Sequence, residues 1–527
     1  MQFMTRSAIQ INSFLLFILS LFITGIYTLP LSAQPSGVTI TSIPHTIPIL
    51  VGMPENPILQ VVVANQTGNN LPVTQLKCHL NEDALPFIWH IQVYMTAAEP
   101  FSTNQLLATY HPTTPDFTLS VTADCPPGVH FIWFSIALKV DADIDGRVEL
   151  HCDEIIDSKG NKYPVTVQSG DYSRRKGAVV RHAGEDGVHT YRIPGLICTD
   201  KGTLIAVYDA RYKNSSDLPG DIDVGMSRSL DRGNTWQDLR IIMDMGPPHD
   251  NNGVGDPAIL FDPLTKKIVV AALWSKGNRS IVGSMPGLSP DTTGQIVISS
   301  STDDGISWTK PRTITPQVKK PTWRLFFQGP GSGIAMQDGS LVFPAQYWDE
   351  NKIPYSTLIY SDDHGKNWKG NISGPKSNTT ESSVVETAPG TLMLNMRDNR
   401  GGFRSVATTK DMGRTWLEHS TSYHTLPDPV CMGSLIKAKV KINGELKEVL
   451  FFSNPNTISG RYDITIKASL DMGETWKDAN QLLIDERPCF GYSSLTQIDE
   501  NTIGILYEGN RDLYFVRIPV STIIHDQ

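Results

Sequence analysis

Apolar and polar residues alternate over short distances along most of this chain, as they do in β-strands that are buried on one face. Clusters of Asn, Gly and Pro separate the runs, and the 3.6-residue period of an amphipathic helix is hard to find. The clearest runs lie at residues 59–64, 89–94, 130–137, 268–273, 391–395 and 503–507. The sequence therefore predicts an all-β protein.

The early strands, within residues 37–163, recur at a regular spacing and carry no repeated motif, which favours a β-sandwich. A polar segment at residues 169–177 follows them. A chain of 527 residues is expected to form two or more domains. We therefore predict a smaller sandwich domain over residues 34–168 and a second domain over residues 175–527.

A short pattern, S/T-x-D-x-G-x-x-W, is repeated in the second domain and predicts a tight turn. In each copy the Asp can accept hydrogen bonds from amides ahead of it, the Gly can take a positive φ, and the Trp can pack on the strands beneath. The spacing between successive copies of the pattern is that of one four-stranded blade, so the copies indicate a ring of such blades. We predict a six-bladed β-propeller in which an unmarked blade closes the ring. The five copies begin at Ser229, Ser301, Ser361, Thr409 and Ser469.

The N-terminus has the pattern of an export signal. Arg6 precedes an apolar stretch at residues 14–26, and Leu31-Ser-Ala33 fits a cleavage site, so we predict a signal peptide over residues 1–33. A membrane anchor is the alternative. No second long apolar run follows, so we expect no membrane span in the mature chain. We expect the exported protein to be periplasmic, surface-associated or secreted.

Charge and cysteine usage exclude some classes of function. The formal net charge of −9 argues against a nucleic-acid partner, because such proteins carry a clustered basic surface. The six cysteines are scattered, and no CxxC or HExxH spacing occurs, so the sequence predicts no zinc site and no cofactor. Their pairing cannot be chosen from the sequence, and buried free thiols are the simpler interpretation for most of them.

The segment Tyr191-Arg192-Ile193-Pro194 resembles the Arg-Ile-Pro motif that opens the catalytic domain of exo-sialidases. The five repeated turns resemble the Asp-boxes of that family, and the matching motifs follow in order between about residues 180 and 520. The first domain more loosely resembles the carbohydrate-binding-like N-terminal domain of secreted bacterial sialidases. The resemblance implies an enzyme that removes terminal sialic acids from glycoproteins and glycolipids.

Sialic acid carries a carboxylate on its anomeric carbon, so a site that binds it needs fixed cations. Arginine suits this task because its planar fork pairs with a carboxylate in two places and stays charged. The family uses three arginines, which match Arg192, Arg397 and Arg461 in this sequence. Each charge-assisted contact is worth about 1.5–3 kcal/mol.

The same carboxylate constrains the nucleophile. A Glu or Asp beside it would face repulsion of about 4 kcal/mol at 4 Å, whereas a neutral tyrosine avoids this cost. Sialidases are a known exception to the two-carboxylate scheme of glycosidases, since they use a tyrosine. The resemblance matches Tyr492 to the nucleophile and Glu381 to the base that takes its proton. Tyr507 and Glu386 are the alternatives.

The leaving alcohol needs a proton from a general acid. In the family this acid is an Asp that follows an arginine closely, which matches Asp217 after Arg211, with Asp221 and Asp223 as alternatives. Arg211 is expected to contact the substrate near its 4-hydroxyl. By the same resemblance Asp256 is a binding carboxylate, and its alternative is a turn residue before proline. Glu508 matches the acid that supports Arg192.

Three functions are compatible with these residues. The first is a retaining exo-α-sialidase that forms a covalent intermediate on Tyr492. The second is a trans-sialidase, which uses the same residues but passes the sialyl group to a sugar. The third is a glycan-binding propeller without catalysis, which predicts substitutions at the acid, base or nucleophile. None is seen at Asp217, Glu381 or Tyr492, so the sequence favours catalysis.

Overall fold

The computed structural model describes residues 37–96, 100–103, 105–277, 279–370 and 372–525, and these residues form an almost entirely β structure. The predicted signal peptide lies outside the described residues. Within these ranges helices are few and short. They are one α-helix, Thr315–Val318, and 3-10 helices at Glu82–Phe87, Glu185–Gly187, His249–Asn251, Ile281–Gly283, Asp478–Asn480 and Val520–Thr522. The prediction of an all-β protein is confirmed.

Two sheets form the N-terminal sandwich. In strand Asp116–Cys125 exposed and buried residues alternate along its whole length, so one face packs in the core and the other meets solvent. The first sheet contains, in spatial order, Thr166–Val167, Val38–Pro44, Asn56–Asn65, Gly128–Leu138, Ile88–Thr96 and Leu106–Tyr110. The second contains Arg147–Asp157, Leu71–Leu80 and Asp116–Cys125, with Lys162–Pro164 paired to the first of these.

The remaining strands form six antiparallel blades, and contacts between neighbouring blades, most of them between first strands, close them into a ring. Blade 1 comprises Thr190–Cys198, Leu204–Arg211, Ile222–Ser229 and Arg240–Met243. Blade 2 comprises Val254–Asp262, Lys267–Trp274, Gln295–Ser301 and Arg312–Thr313. In blade 3, Leu325–Gln328 and Ile334–Ala335 together form the first strand, and Leu341–Trp348 and Pro354–Ser361 follow. Blade 4 comprises Thr379–Ala388, Thr391–Asp398, Ser405–Thr409 and Leu417–Glu418. Blade 5 comprises Ser434–Ile442, Glu445–Pro455, Ile464–Ser469 and Gln481–Asp485. Blade 6 comprises Ser493–Asp499, Thr502–Glu508, Leu513–Pro519 and Ser173–Arg181.

Three short pairings supplement the blades. Gly331–Ser332 pairs in parallel with the first strand of blade 2, Gly402–Phe403 pairs with Pro427–Asp428, and Ile49–Val51 pairs in parallel with Ser173–Arg181. The six-bladed propeller preceded by a smaller sandwich, predicted from the sequence, is confirmed.

Strand Ser173–Arg181 belongs to both halves of the structure. Its residues 173–175 pair with the sandwich, while residues 178–181 pair with the third strand of blade 6. The sandwich and the last blade therefore share one continuous nine-stranded sheet. The apolar core is continuous as well, because Ile132 of the sandwich belongs to the same buried cluster as Leu204 and Phe515 of the propeller.

All five repeated turns directly follow the third strand of their blade. In the first, the hydroxyl of Ser229 donates to Asp231 at 2.8 Å and accepts from the amide of Gly233 at 2.7 Å. Asp231 also accepts from the amide of Thr235 at 3.0 Å, and the other four turns repeat these contacts. The five glycines have φ between 76° and 95°, and the tryptophans pack on apolar clusters. The predicted turn chemistry is confirmed, and it serves the scaffold.

Neighbouring strands in a blade run in opposite directions, and this fixes two faces of the propeller. The first strands begin, and the second strands end, at one face. The third strands end at the opposite face, where the repeated turns lie. Polar residues near the starts of first strands and the ends of second strands therefore meet at a face that is free of the repeated turns.

The described part of the chain contains no helix long and apolar enough to cross a membrane. All six cysteine thiols are free, and four of them are buried. This agrees with the interpretation that most of them are buried thiols.

The glycine of the first repeated turn has both a positive φ and a close neighbour. At Gly233 φ is 93°, and an added Cβ would lie 2.0 Å from the Phe515 ring. Gly390 has φ of 72° and nothing within 4 Å of that position. Gly233→Ala should lower the free energy of unfolding by about 2–5 kcal/mol, because it adds overpacking to the left-handed strain. Gly390→Ala should cost only about 1–2 kcal/mol. Denaturant unfolding of both variants measures the difference, and equal losses would contradict it.

Candidate active site

Polar side chains converge on a cavity of about 320 Å³ at the face opposite the repeated turns. First strands supply Arg192 and Glu381 near their starts, and Arg397 lies at the end of a second strand. Loops supply most of the others. Seven of the nine predicted site residues line the cavity: Arg192, Asp217, Asp256, Glu381, Arg397, Arg461 and Tyr492.

The fully buried carboxylate of Glu508 organises one wall of this cavity. It accepts hydrogen bonds from Arg192 Nε at 3.0 Å, from the amide of Ile193 at 2.9 Å and from the amide of Tyr492 at 2.9 Å. Burial alone would lower the pKa of Arg192, but the charge of Glu508 raises it above its usual value. Glu508 lies behind Arg192, as a supporting acid would, and does not line the cavity.

The local backbone explains how Arg192 reaches the cavity. Pro194 has no N–H to donate, and the pairing between the first two strands of blade 1 shifts register between Arg192 and Gly195. Ile193 has a φ of 58°, a left-handed conformation that is costly for a β-branched residue. Its hydrogen bond to Glu508 holds this strained geometry, so the Arg-Ile-Pro motif acts as a bulge that turns the arginine inward.

Tyr492 and Glu381 form the closest pair in the cavity. The tyrosine hydroxyl lies 2.6 Å from both carboxylate oxygens of Glu381. Arg397 Nη1 donates to the same hydroxyl at 3.0 Å and to Glu381 Oε2 at 2.7 Å. Burial, and next the charge of Glu381, raise the pKa of Tyr492 well above its usual value of 10. The phenol therefore holds its proton at neutral pH, and its hydroxyl donates to Glu381.

Arg192 and Arg461 lie on either side of this tyrosine. Their guanidinium carbons are 5.3 Å and 5.7 Å from the centre of the Tyr492 ring. Arg461 donates to the carbonyls of Phe490 at 2.8 Å and Val430 at 2.9 Å, so backbone groups fix its orientation without neutralising its charge. With Arg397 they form a group of three fixed cations around one phenol.

Asp217 lies on the loop after the second strand of blade 1. Its side chain is 62% exposed and accepts from Arg211 Nη1 at 2.8 Å, while Arg192 Nη1 lies 3.6 Å away. Arg211 is almost fully buried, donates to Asp209 at 2.8 Å and 3.0 Å, and does not line the cavity. The structure thus places Arg211 beneath the Asp217 loop, and its contact with the substrate stays a prediction.

Asp256 is the third residue of the first strand of blade 2 and has a φ of 54°. Its amide donates to Asp209 at 2.8 Å. Burial, followed by the charges of Asp209 and Asp217, raises the pKa of Asp256 well above its usual 3.8. A carboxyl in this position holds its proton more tightly than an ordinary Asp and, when protonated, can donate a hydrogen bond to a ligand.

The alternatives lie elsewhere. Glu386 is near the end of its strand and lines a second cavity, of about 630 Å³, at the opposite face. Tyr507 is buried, and its hydroxyl donates to Asp485 at 2.9 Å. Asp221 and Asp223 do not line the 320 Å³ cavity. None of the four is in contact with the pair formed by Tyr492 and Glu381.

Sequence reasoning missed several residues of the site. Asp209 links Arg211 to the amide of Asp256, and its spacing of two from Arg211 could have indicated it. The ring of Phe490 lies 4.5 Å from the Arg192 guanidinium. Trp348 lines the cavity at the end of the second strand of blade 3. Trp348 ends the second strand of blade 3 just as Arg211 ends the second strand of blade 1. This equivalent position could have indicated Trp348 from the sequence.

Within the ranges that the structure describes, no group of three or more His, Cys, Asp or Glu side chains could hold a metal ion. The acids of the site are instead paired with arginines, as for Asp209, Asp217, Glu381 and Glu508.

Comparison with known proteins identifies the family and the fold. Residues 193–508 match the BNR repeat-like domain family. The chain is 48% identical to a sialidase of Bacteroides fragilis over 392 residues, which cover 73% of this chain and 72% of that protein. The solved structure of a Hadza microbial sialidase matches with a TM-score of 0.86 and 38% identity, over 92% of this chain and all of the other. A mutant Trypanosoma rangeli sialidase that displays trans-sialidase activity matches with a TM-score of 0.54 and 25% identity, over 64% and 56% of the two chains.

The family match together with the six blades defines a BNR-repeat propeller protein. The chain belongs to the sialidase family and is a glycoside hydrolase of the exo-α-sialidase type. The resemblance drawn from its motifs is confirmed. The carbohydrate-binding character of the sandwich stays a prediction.

Asp223 leads to a prediction about stability and pH. Burial, and then the charge of Asp244, raise the pKa of Asp223 from 3.8 to about 7. The folded chain therefore holds this proton more tightly than the unfolded chain. The resulting stabilisation is complete below pH 3.8 and is lost as the pH rises through about 7. Asp223→Asn should flatten the fall in melting temperature between pH 4 and pH 7.5. If the melting temperature of the variant falls with pH as steeply as that of the wild type, the prediction is wrong.

Proposed function

We propose that this protein is a retaining exo-α-sialidase that hydrolyses terminal sialic acids from glycoproteins and glycolipids through a covalent intermediate on Tyr492. The observation that carries the proposal is the hydroxyl of Tyr492, 2.6 Å from Glu381 and 3.0 Å from Arg397 Nη1. A phenol with a base and a cation at contact distance is prepared to become a nucleophile.

The three arginines suit the carboxylate of sialic acid. Arg192, Arg397 and Arg461 surround the position beside Tyr492, and a carboxylate bound to them would place the anomeric carbon next to the phenol oxygen. A neutral nucleophile avoids the repulsion that a carboxylate nucleophile would meet there. Asp256, which burial keeps protonated more readily than an ordinary Asp, is suited to donate to a hydroxyl or acyl oxygen of the substrate.

The proposed reaction has two displacements. In the first, Asp217 enters the reaction in its protonated form. The Tyr492 oxygen bonds to the anomeric carbon and its proton passes to Glu381, while the bond from that carbon to the leaving oxygen breaks and Asp217 protonates this oxygen. In the second, water attacks the same carbon and gives its proton to Asp217, and the bond between the carbon and the Tyr492 oxygen breaks. The tyrosine oxygen then recovers its proton from Glu381. Two inversions leave the anomeric configuration unchanged.

The present position of Asp217 adds a step to this sequence. Its carboxylate lies 3.6 Å from Arg192, one of the arginines assigned to the substrate. The substrate carboxylate would replace Asp217 at Arg192 and leave it paired with Arg211 alone, at 2.8 Å. Because the Asp217 side chain is 62% exposed, this movement needs little repacking.

The nucleophile is tested by Tyr492→Phe, with Tyr507→Phe as the control. Tyr492→Phe should lower kcat on sialyllactose at least about a thousandfold, because the attacking oxygen is removed. Tyr507→Phe removes a buried hydroxyl outside the cavity and should leave kcat within about threefold of wild type once the folded fraction is matched. NMR of the wild-type products should show α-sialic acid first. Normal turnover by Tyr492→Phe, or β-sialic acid as the first product, would refute the proposal.

The same product analysis distinguishes the alternatives. Transfer of the sialyl group to added isotopically labelled lactose in place of water would establish a trans-sialidase, the activity displayed by one structural neighbour. Binding of sialyllactose without any product would establish a non-catalytic glycan-binding propeller.

The acid is tested by Asp217→Ala on two substrates. Sialyllactose has a poor leaving group, so loss of proton donation should lower kcat/KM by about 10²–10⁴-fold. An aryl sialoside whose phenol leaves without protonation should lose less than about tenfold. Circular dichroism checks that the variant is folded. Equal losses on the two substrates would move the acid to another residue.

We further propose that a signal peptide over residues 1–33 directs export, so that the protein acts in the periplasm, at the cell surface or outside the cell. The proposal rests on the Arg6, apolar and small-residue pattern of that segment. The mature chain would then consist of a sandwich domain at residues 34–168 and a catalytic propeller at residues 175–527, with no cofactor and no nucleic-acid partner.

A further inference from the structure

Residues 486–492, called here the nucleophile segment, connect the outermost strand of blade 5 to the innermost strand of blade 6. The segment follows strand Gln481–Asp485 and precedes strand Ser493–Asp499, so it runs from the rim of the propeller to its axis. It ends at Tyr492 and also carries Phe490, whose ring packs against Arg192. Its position therefore sets the position of the nucleophile.

The outer end of this segment is held by the sandwich. The amide of Glu486 donates to the carbonyl of Thr46 at 3.0 Å, and Glu486 Oε2 accepts from the amide of Thr46 at 2.9 Å. Glu486 Oε1 accepts from Nδ1 of His45 at 2.6 Å. The His45 ring stacks on Trp133 of the sandwich, with ring centres 4.9 Å apart and planes at 27°. One residue thus makes three hydrogen bonds to the other domain.

The inner half of the segment has little freedom. The amide of Cys489 donates to the carbonyl of Arg461 at 3.0 Å, and the carbonyl of Phe490 accepts from Arg461 Nη1 at 2.8 Å. At Gly491, φ is 95°, and an added Cβ would lie 3.0 Å from Arg461, Cys431 and Pro455. A displacement at Glu486 would therefore be passed along the segment, because the contacts of Cys489, Phe490 and Gly491 hold its inner half against the propeller.

We propose that Glu486 is a positioning residue for the sialidase reaction, through which the sandwich holds the nucleophile segment and its Tyr492 in place. The proposal rests on the proposed role of Tyr492. It assigns to the sandwich a part in building the active site, in addition to any binding of glycans.

A second contact between the two domains provides a matched control. Arg517, on the third strand of blade 6, donates to Asp143 at 2.9 Å and also lies 2.9 Å from Asp145. This contact joins the same two domains without touching the nucleophile segment. Weakening it should affect the docking of the domains and leave Tyr492 where it is.

The experiment compares Glu486→Ala and His45→Phe with the control Asp143→Asn/Asp145→Asn in the full chain. His45→Phe keeps a ring against Trp133 and removes the hydrogen bond. In Glu486→Ala and His45→Phe, hydrogen exchange of the amides of Cys489, Phe490 and Tyr492 should quicken about tenfold or more. Turnover of an aryl sialoside, measured well below the melting temperature, should fall about 10- to 100-fold in kcat, with a smaller change in KM.

The control double variant should lower the melting temperature and leave both the exchange of the segment and kcat at wild-type values. Glu486→Gln, which can still accept from Thr46 and contact His45, should restore most of the lost kcat. The inference is overturned if Glu486→Ala lowers only the melting temperature, as the control does, or if exchange quickens and kcat does not change.

Failure of this inference is distinguishable from failure of the proposed function. An active wild type with unaffected Glu486→Ala would remove the role of Glu486 alone. A wild type that turns over no sialoside would remove the proposed function, and with it the positioning role.

Discussion

One buried carboxylate, Glu508, joins the first and last blades at the place where the ring closes. It is bonded to Arg192 and the amide of Ile193 on blade 1, and to the amide of Tyr492 at the start of blade 6. A carboxylate without solvent contact needs such partners, because an unpaired buried charge is very costly. The same bonds that join these two blades therefore place Arg192, a proposed substrate-binding residue, beside Tyr492, the proposed nucleophile.

The electrostatics of the site follow from this arrangement. Three guanidinium groups make the cavity attractive to a carboxylate, and each is held by acids or by backbone carbonyls. Among these cations the proposed nucleophile is a phenol whose pKa is raised by burial and by Glu381. In the proposed reaction its proton passes to Glu381, whose carboxylate lies 2.6 Å from the Tyr492 hydroxyl.

The sandwich is more closely integrated with the propeller than two domains on a linker would be. Strand Ser173–Arg181 continues the sandwich sheet into blade 6, and buried side chains of both domains share one apolar cluster. The contact of Glu486 with His45 and Thr46 extends this integration toward the active site. The fold therefore offers a structural reason for the sandwich to accompany the catalytic domain, separate from any recognition of glycans.

The sequence by itself determined the parts of this protein that depend on local interactions. Each repeated turn forms its hydrogen bonds within a few residues, as Ser229 and Asp231 do, so the blades and their approximate number could be predicted. Motif order also indicated most of the site. The resemblance favoured Glu381 over Glu386, but only the tertiary structure shows that Glu381 lies beside Tyr492, because the two glutamates lie toward opposite ends of one strand and hence at opposite faces of the ring. The burial of Arg211 and the anchoring of the nucleophile segment by the sandwich were likewise outside the reach of the sequence, since they depend on contacts between residues far apart in the chain.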